Sequence, residues 1–266
     1  MIMQNTSSRF IDTGFNPGAY NMQLDERLAR ELLAGTGMPT LRLFRWQPWA
    51  ISIGYNQSLD DIDLKKCDQD GIDVVRRPTG GRAILHAEEI TYSIVMPAGT
   101  NGILQIYNEI SKALVVGLRL FGAEVSLQRS QPNYPEEYRR ASSVACFTSS
   151  SRYEIEWKGR KLVGSAQRRF NDGVQDIVLQ HGSILCGPAH KRLAEYVNFD
   201  DRAKAVGFER ELNENTVDLS QICDQPIDIG SLSTCIKRGF EMEWGIVFQD
   251  EPTPHEHDAV VQLQTS

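Results

Sequence analysis

Apolar residues recur along this chain at two spacings, and the changes between them mark out the elements. From Tyr20 to Leu33, Leu24, Leu28 and Leu32 fall every fourth residue, which predicts an amphipathic helix. Leu41–Trp46 and Trp49–Tyr55 alternate on either side of Gln47-Pro48 and predict two strands paired around that turn. Ser58 reads as the N-cap of a helix that ends before Gly71. Val74–Arg76, Ala83–His86 and Glu89–Met96 predict strands, interrupted by a turn at Gly80-Gly81. Gly102–Phe121 sets Ile103, Ile106, Ile110, Leu114 and Leu118 on one helical face, and Gly122 stops it. Tyr153–Trp157 and Lys161–Gln167 flank Lys158-Gly159 as a hairpin, and Val178–Leu185 adds a strand. Beyond Pro188 the spacing is helical again, most clearly over Ile229–Trp244.

These elements imply one α+β domain, with a mixed, largely antiparallel sheet packed by helices. The expected organisation is a catalytic domain over residues 1–200, a helical extension on the same domain over 201–250, and a flexible, polar tail over 251–266. With 266 residues the chain can bury a full core, and 41% hydrophobic against 24% charged residues is ordinary for a globular protein. No apolar run reaches the roughly 18–20 residues of a membrane span. Met1 to Phe10 lacks the apolar core of a signal peptide, so export is not expected.

One stretch has no periodicity. Gln128 to Ser151 contains Pro132, Pro135 and two serine clusters, and its only apolar patch is Val144-Ala145-Cys146-Phe147. Internal loops of this length are commonly lids over a site or disordered; here the apolar patch could dock the loop over a pocket. The five cysteines, Cys67, Cys146, Cys186, Cys223 and Cys235, form no C-x-x-C and no zinc-type cluster, which points to free thiols in a reducing cytoplasm and to no metal site. The net charge of −7 argues against non-specific nucleic-acid binding. Arg152, Lys158, Arg160, Lys161, Arg168 and Arg169 nevertheless gather in one segment, either as a solvated hairpin or as a basic face for an acidic protein partner.

Candidate chemistry lies in two glycine-and-cation segments about 80 residues apart, Arg76 to His86 and Gly159 to Arg169, with Cys146 between them. Gly80 and Gly81 allow close backbone approach to a carbonyl or phosphate, or form an ordinary tight turn. A lysine such as Lys161 is a solvated surface group unless a site surrounds it. A free cysteine is more often structural than reactive, and the irregular context of Cys146 weakens that default. A thiolate needs a nearby cation, for which Lys161 is the candidate. Cys67, Cys186, Cys223 and Cys235 fit regular elements and read as structural. His86 and His181 lie in apolar strands, where a hydrogen-bonded core histidine is the default. A thiol, an amine and two glycine-lined turns point together to acyl transfer.

Arg76 to His86, Glu89 to Ser93, Cys146-Phe147, Gly159 to Gln167 and Gln180 to Ser183 occur in the order seen in a known family. Over roughly residues 18–245 the chain resembles the biotin/lipoate protein ligase superfamily, and within it the cysteine-dependent octanoyltransferases that look like lipoate ligases. The resemblance implies catalytic roles for Cys146 and Lys161, with Lys161 pointing into the acyl pocket. It implies substrate contacts for Arg77, Gly80, Gly81, Arg82, His86, Gly164, Ser165, Ala166, His181 and Gly182. The implied reaction carries an octanoyl group from acyl carrier protein to a lysine of the glycine-cleavage H protein or an E2 lipoyl domain, with no cofactor, nucleic acid or membrane. Three alternatives stay open: an ATP-dependent lipoate–protein ligase, an amidotransferase between lipoyl domains, and a non-catalytic lipoyl-domain binder. Arg82, where ligases commonly show a third glycine, and Cys146-Phe147, where they show Asn-Asp, weigh against the ligase.

Overall fold

The computed structural model describes residues 7–129 and 153–251. Cys146, the loop expected to close over a site, and the polar tail after Glu251 lie outside the described residues. The elements run in the order β1 (Arg9–Asn16), α1 (Gly18–Leu33), β2 (Thr40–Trp46), β3 (Ala50–Ile53), α2 (Leu64–Gln69), β4 (Asp73–Arg76), β5 (Ile84–His86), β6 (Glu89–Pro97) and α3 (Ile103–Leu120). They continue through β7 (Ser126–Arg129), β8 (Tyr153–Trp157), β9 (Arg160–Asn171), β10 (Asp176–Leu185), α4 (Arg202–Asn215), α5 (Ile229–Trp244) and β11 (Gln249–Asp250). Two sheets result. An eight-stranded sheet has the order β11-β1-β2-β6-β10-β9-β8-β7, and a three-stranded sheet the order β4-β3-β5. In the large sheet β1 is parallel to both neighbours, and every pairing from β2 to β7 is antiparallel. This is the α+β arrangement expected from the pattern.

Two expectations are corrected. β2 and β3 do not pair across Gln47-Pro48: β2 lies between β1 and β6, and β3 joins β4 and β5 in the smaller sheet. Both hydrogen-bonding edges of β2 are taken, so the chain leaves the large sheet at that turn. The helix expected from Ser58 to Gly71 is divided. Ser58 caps a single 3₁₀ turn, Leu59–Asp61, by accepting from the Asp60 N–H; Ile62 then bridges to Val197, and Asp63 caps α2 instead.

The large sheet has one face for the core and one for the site. Cross-strand rows set Leu43, Tyr92, Gly182 and Ser165 together on one face, and Arg42, Ser93, His181 and Ala166 on the other. The first face belongs to the main core, where α3 and α5 pack against each other. Ile106, Ile110, Leu114 and Leu118 are buried there, whereas Ile103, in the first turn of α3, is 55% exposed. The second face carries α1, whose Leu24, Leu28 and Leu32 pack on Val95, Ile177 and Leu179.

The α3–α5 crossing is a backbone contact. A Cβ on Gly239 would stand 2.3 Å from the Gly117 N and 2.5 Å from the Ala113 O. Backbone cannot yield as a flexible side chain would, so Gly239→Ala is expected to lower unfolding free energy by about 1–3 kcal/mol. Gly207→Ala in α4, with nothing within 4 Å of the added methyl, should be neutral or stabilising by up to about 1 kcal/mol. Urea denaturation midpoints of the two variants against the parent check both.

Candidate active site

The polar face of the sheet, the smaller sheet and the start of α1 border a small cleft, lined by Met22, Trp46, Ser52, Arg77, Ile84, His86, Thr91, Gly164, Ser165, Ala166, His181, Gly182 and Ser183. The strand register builds it: Ser183 pairs with Gly164 and Thr91, and His181 with Ala166 and Ser93. Gly164 and Ala166 leave space where larger side chains would fill the sheet surface. Gly182 is required from the opposite face, because a Cβ there would meet the Gly164 O at 2.4 Å and the Ser165 Oγ at 2.6 Å. Ser165 itself is held by the Tyr92 hydroxyl at 2.7 Å, and Gln180 Nε2 donates to that hydroxyl at 2.9 Å.

Two buried imidazoles border the cleft, each held between a carboxylate and a hydroxyl. His86 Nδ1 lies 2.8 Å from Glu89 Oε1 and Nε2 lies 2.7 Å from Ser52 Oγ, while the Trp46 indole stacks on the ring at 3.9 Å. His181 Nδ1 lies 3.0 Å from Asp25 Oδ2 and Nε2 lies 2.7 Å from Thr79 Oγ1. Asp25 also forms an ion pair with Arg42 at 2.7 Å, both side chains fully buried. Burial holds the His181 pKa below its ordinary value, with Arg77 and His86 adding to the effect against the pull of Asp25.

Arg77 is buried and its guanidinium donates to the carbonyls of Ser52, Gly80 and Arg82 and to Ser52 Oγ. It therefore shapes the turn as well as lining the cleft. Gly81 has φ +90°, and its carbonyl lies where a Cβ on Gly54 would stand, so this turn packs directly on the end of β3. Gly80, Gly81 and Arg82 form the turn beside the cleft and are not among its lining residues.

Lys161 is 6% exposed and lies three residues before Gly164, outside the cleft lining. Ile155 pairs with Val163 but Glu156 with Lys161, so β9 carries one extra residue there. A one-residue bulge reverses the alternation of a strand, which by count brings Lys161 into phase with Gly164 and Ala166. Its backbone is tied to the segment that follows α4: Val217 N–H donates to the Lys161 carbonyl at 3.0 Å. The basic segment is otherwise divided. Arg169 pairs with Asp176, Arg168 donates to the Pro78 carbonyl, and Lys158 and Arg160 lie over Trp157. Arg152 lies outside the described residues.

Ser52, Thr79, Glu89, Thr91 and Ser183 complete the site, although no role for them was drawn from the sequence. Thr79, Glu89, Thr91 and Ser183 sit inside three of the motifs, Arg76 to His86, Glu89 to Ser93 and Gln180 to Ser183, and that position is their signal in the sequence. Ser52 carries none. Cys67 and Cys186 are buried, with thiol pKa values pushed up by burial to about 11 and about 12, and Cys223 and Cys235 are raised by the same cause. Such thiols are poor nucleophiles.

The chain belongs to the lipoyl protein ligase A/B catalytic domain family, whose model matches residues 17–241. It is 33% identical to an octanoyltransferase LipM of Geobacillus kaustophilus, over 96% of this chain and 92% of that one. It is 36% identical to an octanoyltransferase LipM of Moorella thermoacetica, over 90% and 87%. Among solved structures, a bipartite lipoate protein ligase from Thermoplasma acidophilum superposes with a TM-score of 0.73 at 19% identity, covering 97% of this chain and 91% of that one. Lipoate-protein ligase A bound with ATP also gives 0.73, at 20% identity, covering 96% and 93%. These structural likenesses establish the fold.

The anchorage of Lys161 predicts a pH dependence. His190 sits between the Gly187 carbonyl and Thr216, the residue that bridges to Lys161. Burial pushes its pKa down to about 4, against the smaller opposing effect of the Gly187 carbonyl. The unfolded chain takes up this proton near pH 6.5 and the folded one only near 4, so stability from this group is complete above about pH 6.5 and is lost as pH falls toward 4. Roughly 3 kcal/mol is at stake. His190→Gln should flatten that part of the stability–pH curve, measured by urea denaturation between pH 4 and 7. An unchanged slope contradicts the assignment.

Proposed function

We propose that the chain moves an octanoyl group from acyl carrier protein to a lysine of a lipoyl-bearing protein, through a thioester on Cys146. It is an octanoyltransferase of lipoate biosynthesis, as its identity to such enzymes over nearly the whole of both chains supports. The single structural observation that carries the reading is the cleft. Apolar Met22 and Ile84 and the small residues Gly164 and Ala166 line one chamber, and polar groups able to face a carbonyl border it. Arg77, His86, Gly164, Ser165, Ala166, His181 and Gly182 are the proposed substrate contacts, with Gly80, Gly81 and Arg82 as the adjoining turn.

In the first half-reaction the Cys146 thiolate attacks the carrier thioester and expels the carrier thiol. In the second, the acceptor amine attacks the Cys146 thioester and forms an amide. Thioester exchange is nearly isoenergetic and amide formation from a thioester is downhill, so neither step needs ATP. The Lys161 ammonium supplies positive charge for the thiolate and for the oxyanion of each tetrahedral intermediate. A lipoyl domain is the proposed acceptor, and a reducing cytoplasm the proposed setting.

Intact-mass spectrometry tests this. Mixing with octanoyl-acyl carrier protein without ATP should add one octanoyl group, labile to hydroxylamine, mapped to Cys146 and lost in Cys146→Ala. A requirement for ATP would revive the ligase mechanism, and a label elsewhere would remove Cys146 from the chemistry. Lys161→Ala should keep the parent's thermal transition yet lose about 10²–10³ in transfer rate. Near-parental turnover in that variant would remove Lys161 from the site.

A further inference from the structure

Resting on that reading, we infer that Ser52, His86 and Glu89 form the proton relay for the amine half-reaction, with Ser52 Oγ the atom that the acceptor amine touches. For a neutral His86 imidazole the hydrogen-bond directions leave one arrangement. Arg77 can only donate, so Ser52 Oγ accepts from it at 3.1 Å and directs its own hydrogen to His86 Nε2 at 2.7 Å. Glu89 Oε1 is an acceptor, taking hydrogens from Thr91 and Ser183, which places the imidazole hydrogen on Nδ1 and the basic lone pair on Nε2. Thr91 accepts from Trp46 Nε1 at 2.8 Å and donates to Glu89 Oε1 at 2.6 Å, and Ser183 donates to the same oxygen at 2.7 Å. Besides the imidazole, the orienting carboxylate is therefore held by two donors, Thr91 and Ser183. Hydroxyl, imidazole and carboxylate stand in the order and at the distances of a nucleophile–base–orienter set, and Ser52 and His86 both face the cleft.

The second imidazole shows what a structural version looks like. His181 has the same pair of partner types, but its carboxylate, Asp25, is already neutralised by Arg42. Burial, with Arg77 and His86 adding to it, further opposes charge on that ring. Glu89 has no lysine or arginine partner among the described residues, and its Oε2 is buried without a hydrogen-bond partner there. An imidazolium at His86 would thus meet an uncompensated carboxylate, and one at His181 would not.

The chemistry balances as follows. The amine arrives neutral, having released its ammonium proton to water. Its nitrogen forms the C–N bond, and the surplus N–H proton passes to Ser52 Oγ as the Ser52 hydrogen passes to His86 Nε2. The C–S bond breaks with its electron pair on sulfur. The imidazolium, held by Glu89, returns its proton through Ser52, and the thiolate ends as a thiol. Lys161 as an ammonium has no vacancy for this proton, and the thiolate becomes available only once the C–S bond breaks, so the relay holds the proton in between.

The test separates the half-reactions. Parent, Ser52→Ala and His86→Gln enzymes are acylated from octanoyl-acyl carrier protein, freed of donor, and mixed with a lipoyl-domain acceptor, with the acyl-enzyme mass followed by rapid quench. Both variants should slow aminolysis by about 10²-fold or more, at least tenfold more than they slow acylation, and lose the solvent deuterium isotope effect on aminolysis. Equal losses in both half-reactions, or unchanged aminolysis, overturn the relay. A hydroxylamine-resistant octanoyl ester on Ser52 overturns it too, by making Ser52 a nucleophile. If His86→Gln does not fold, Ser52→Ala decides alone, since it removes one hydroxyl. A parent enzyme that never forms a Cys146 adduct refutes the cysteine reading, and the relay with it.

Discussion

The arrangement of the site depends on one buried ion pair, Asp25 with Arg42. Neither side chain reaches solvent, and burying two charges costs several kcal/mol per ion unless their remaining hydrogen-bonding capacity is met. It is met here. Arg42 also donates to the Asn21 carbonyl, Asn21 Oδ1 and Thr13 Oγ1, and it lies over the Phe44 ring at 3.9 Å. The second Asp25 oxygen takes His181 Nδ1, and His181 Nε2 reaches Thr79 beside the glycine turn. One pair thereby ties α1, β1, β2, β10 and that turn together. Losing either partner would strand the other charge at a cost of about 3–5 kcal/mol, and the turn would lose its tether to the sheet.

The same logic explains why the cleft lies where it does. One face of the large sheet is apolar enough to take α3 and α5, while the other carries a row of polar groups that must find partners under cover. Imidazoles satisfy this need because each can bond a carboxylate on one side and a hydroxyl on the other. The space left between these fixed polar groups and the small residues of β9 is the chamber. A bulge in β9 brings Lys161 into phase with Gly164 and Ala166, and the backbone bond from Val217 holds that stretch of β9 in place, outside the lining of the chamber.

Much of this was legible in the sequence, and the reasons for the rest are physical. Leucines at four-residue spacing identify α1, and the isoleucine and leucine stripe identifies α3 apart from Ile103, whose first-turn position leaves it uncovered. Gly164 to Ala166 and His181-Gly182 were readable as motifs because their chemistry is local. The separation of β2 from β3 was not readable, since alternation signals a strand without naming its partner. Nor were the partners of the histidines: Asp25 and His181 are 156 residues apart, and Thr79 and His181 are 102 apart. A buried aspartate in a helix reads like any surface acid until the arginine opposite it is known. The bulge that re-phases Lys161 is likewise invisible in a strand that looks regular.

The central claim is that an acyl group on this enzyme occupies the chamber between β9, β10 and the smaller sheet. A crystal structure of the enzyme after reaction with octanoyl-acyl carrier protein tests it most directly. The account predicts an octanoyl chain against Met22, Ile84, Gly164 and Ala166, with its carbonyl toward Ser52 and Lys161. Acyl density in any other cavity, or a chamber left empty in a fully acylated enzyme, would contradict it.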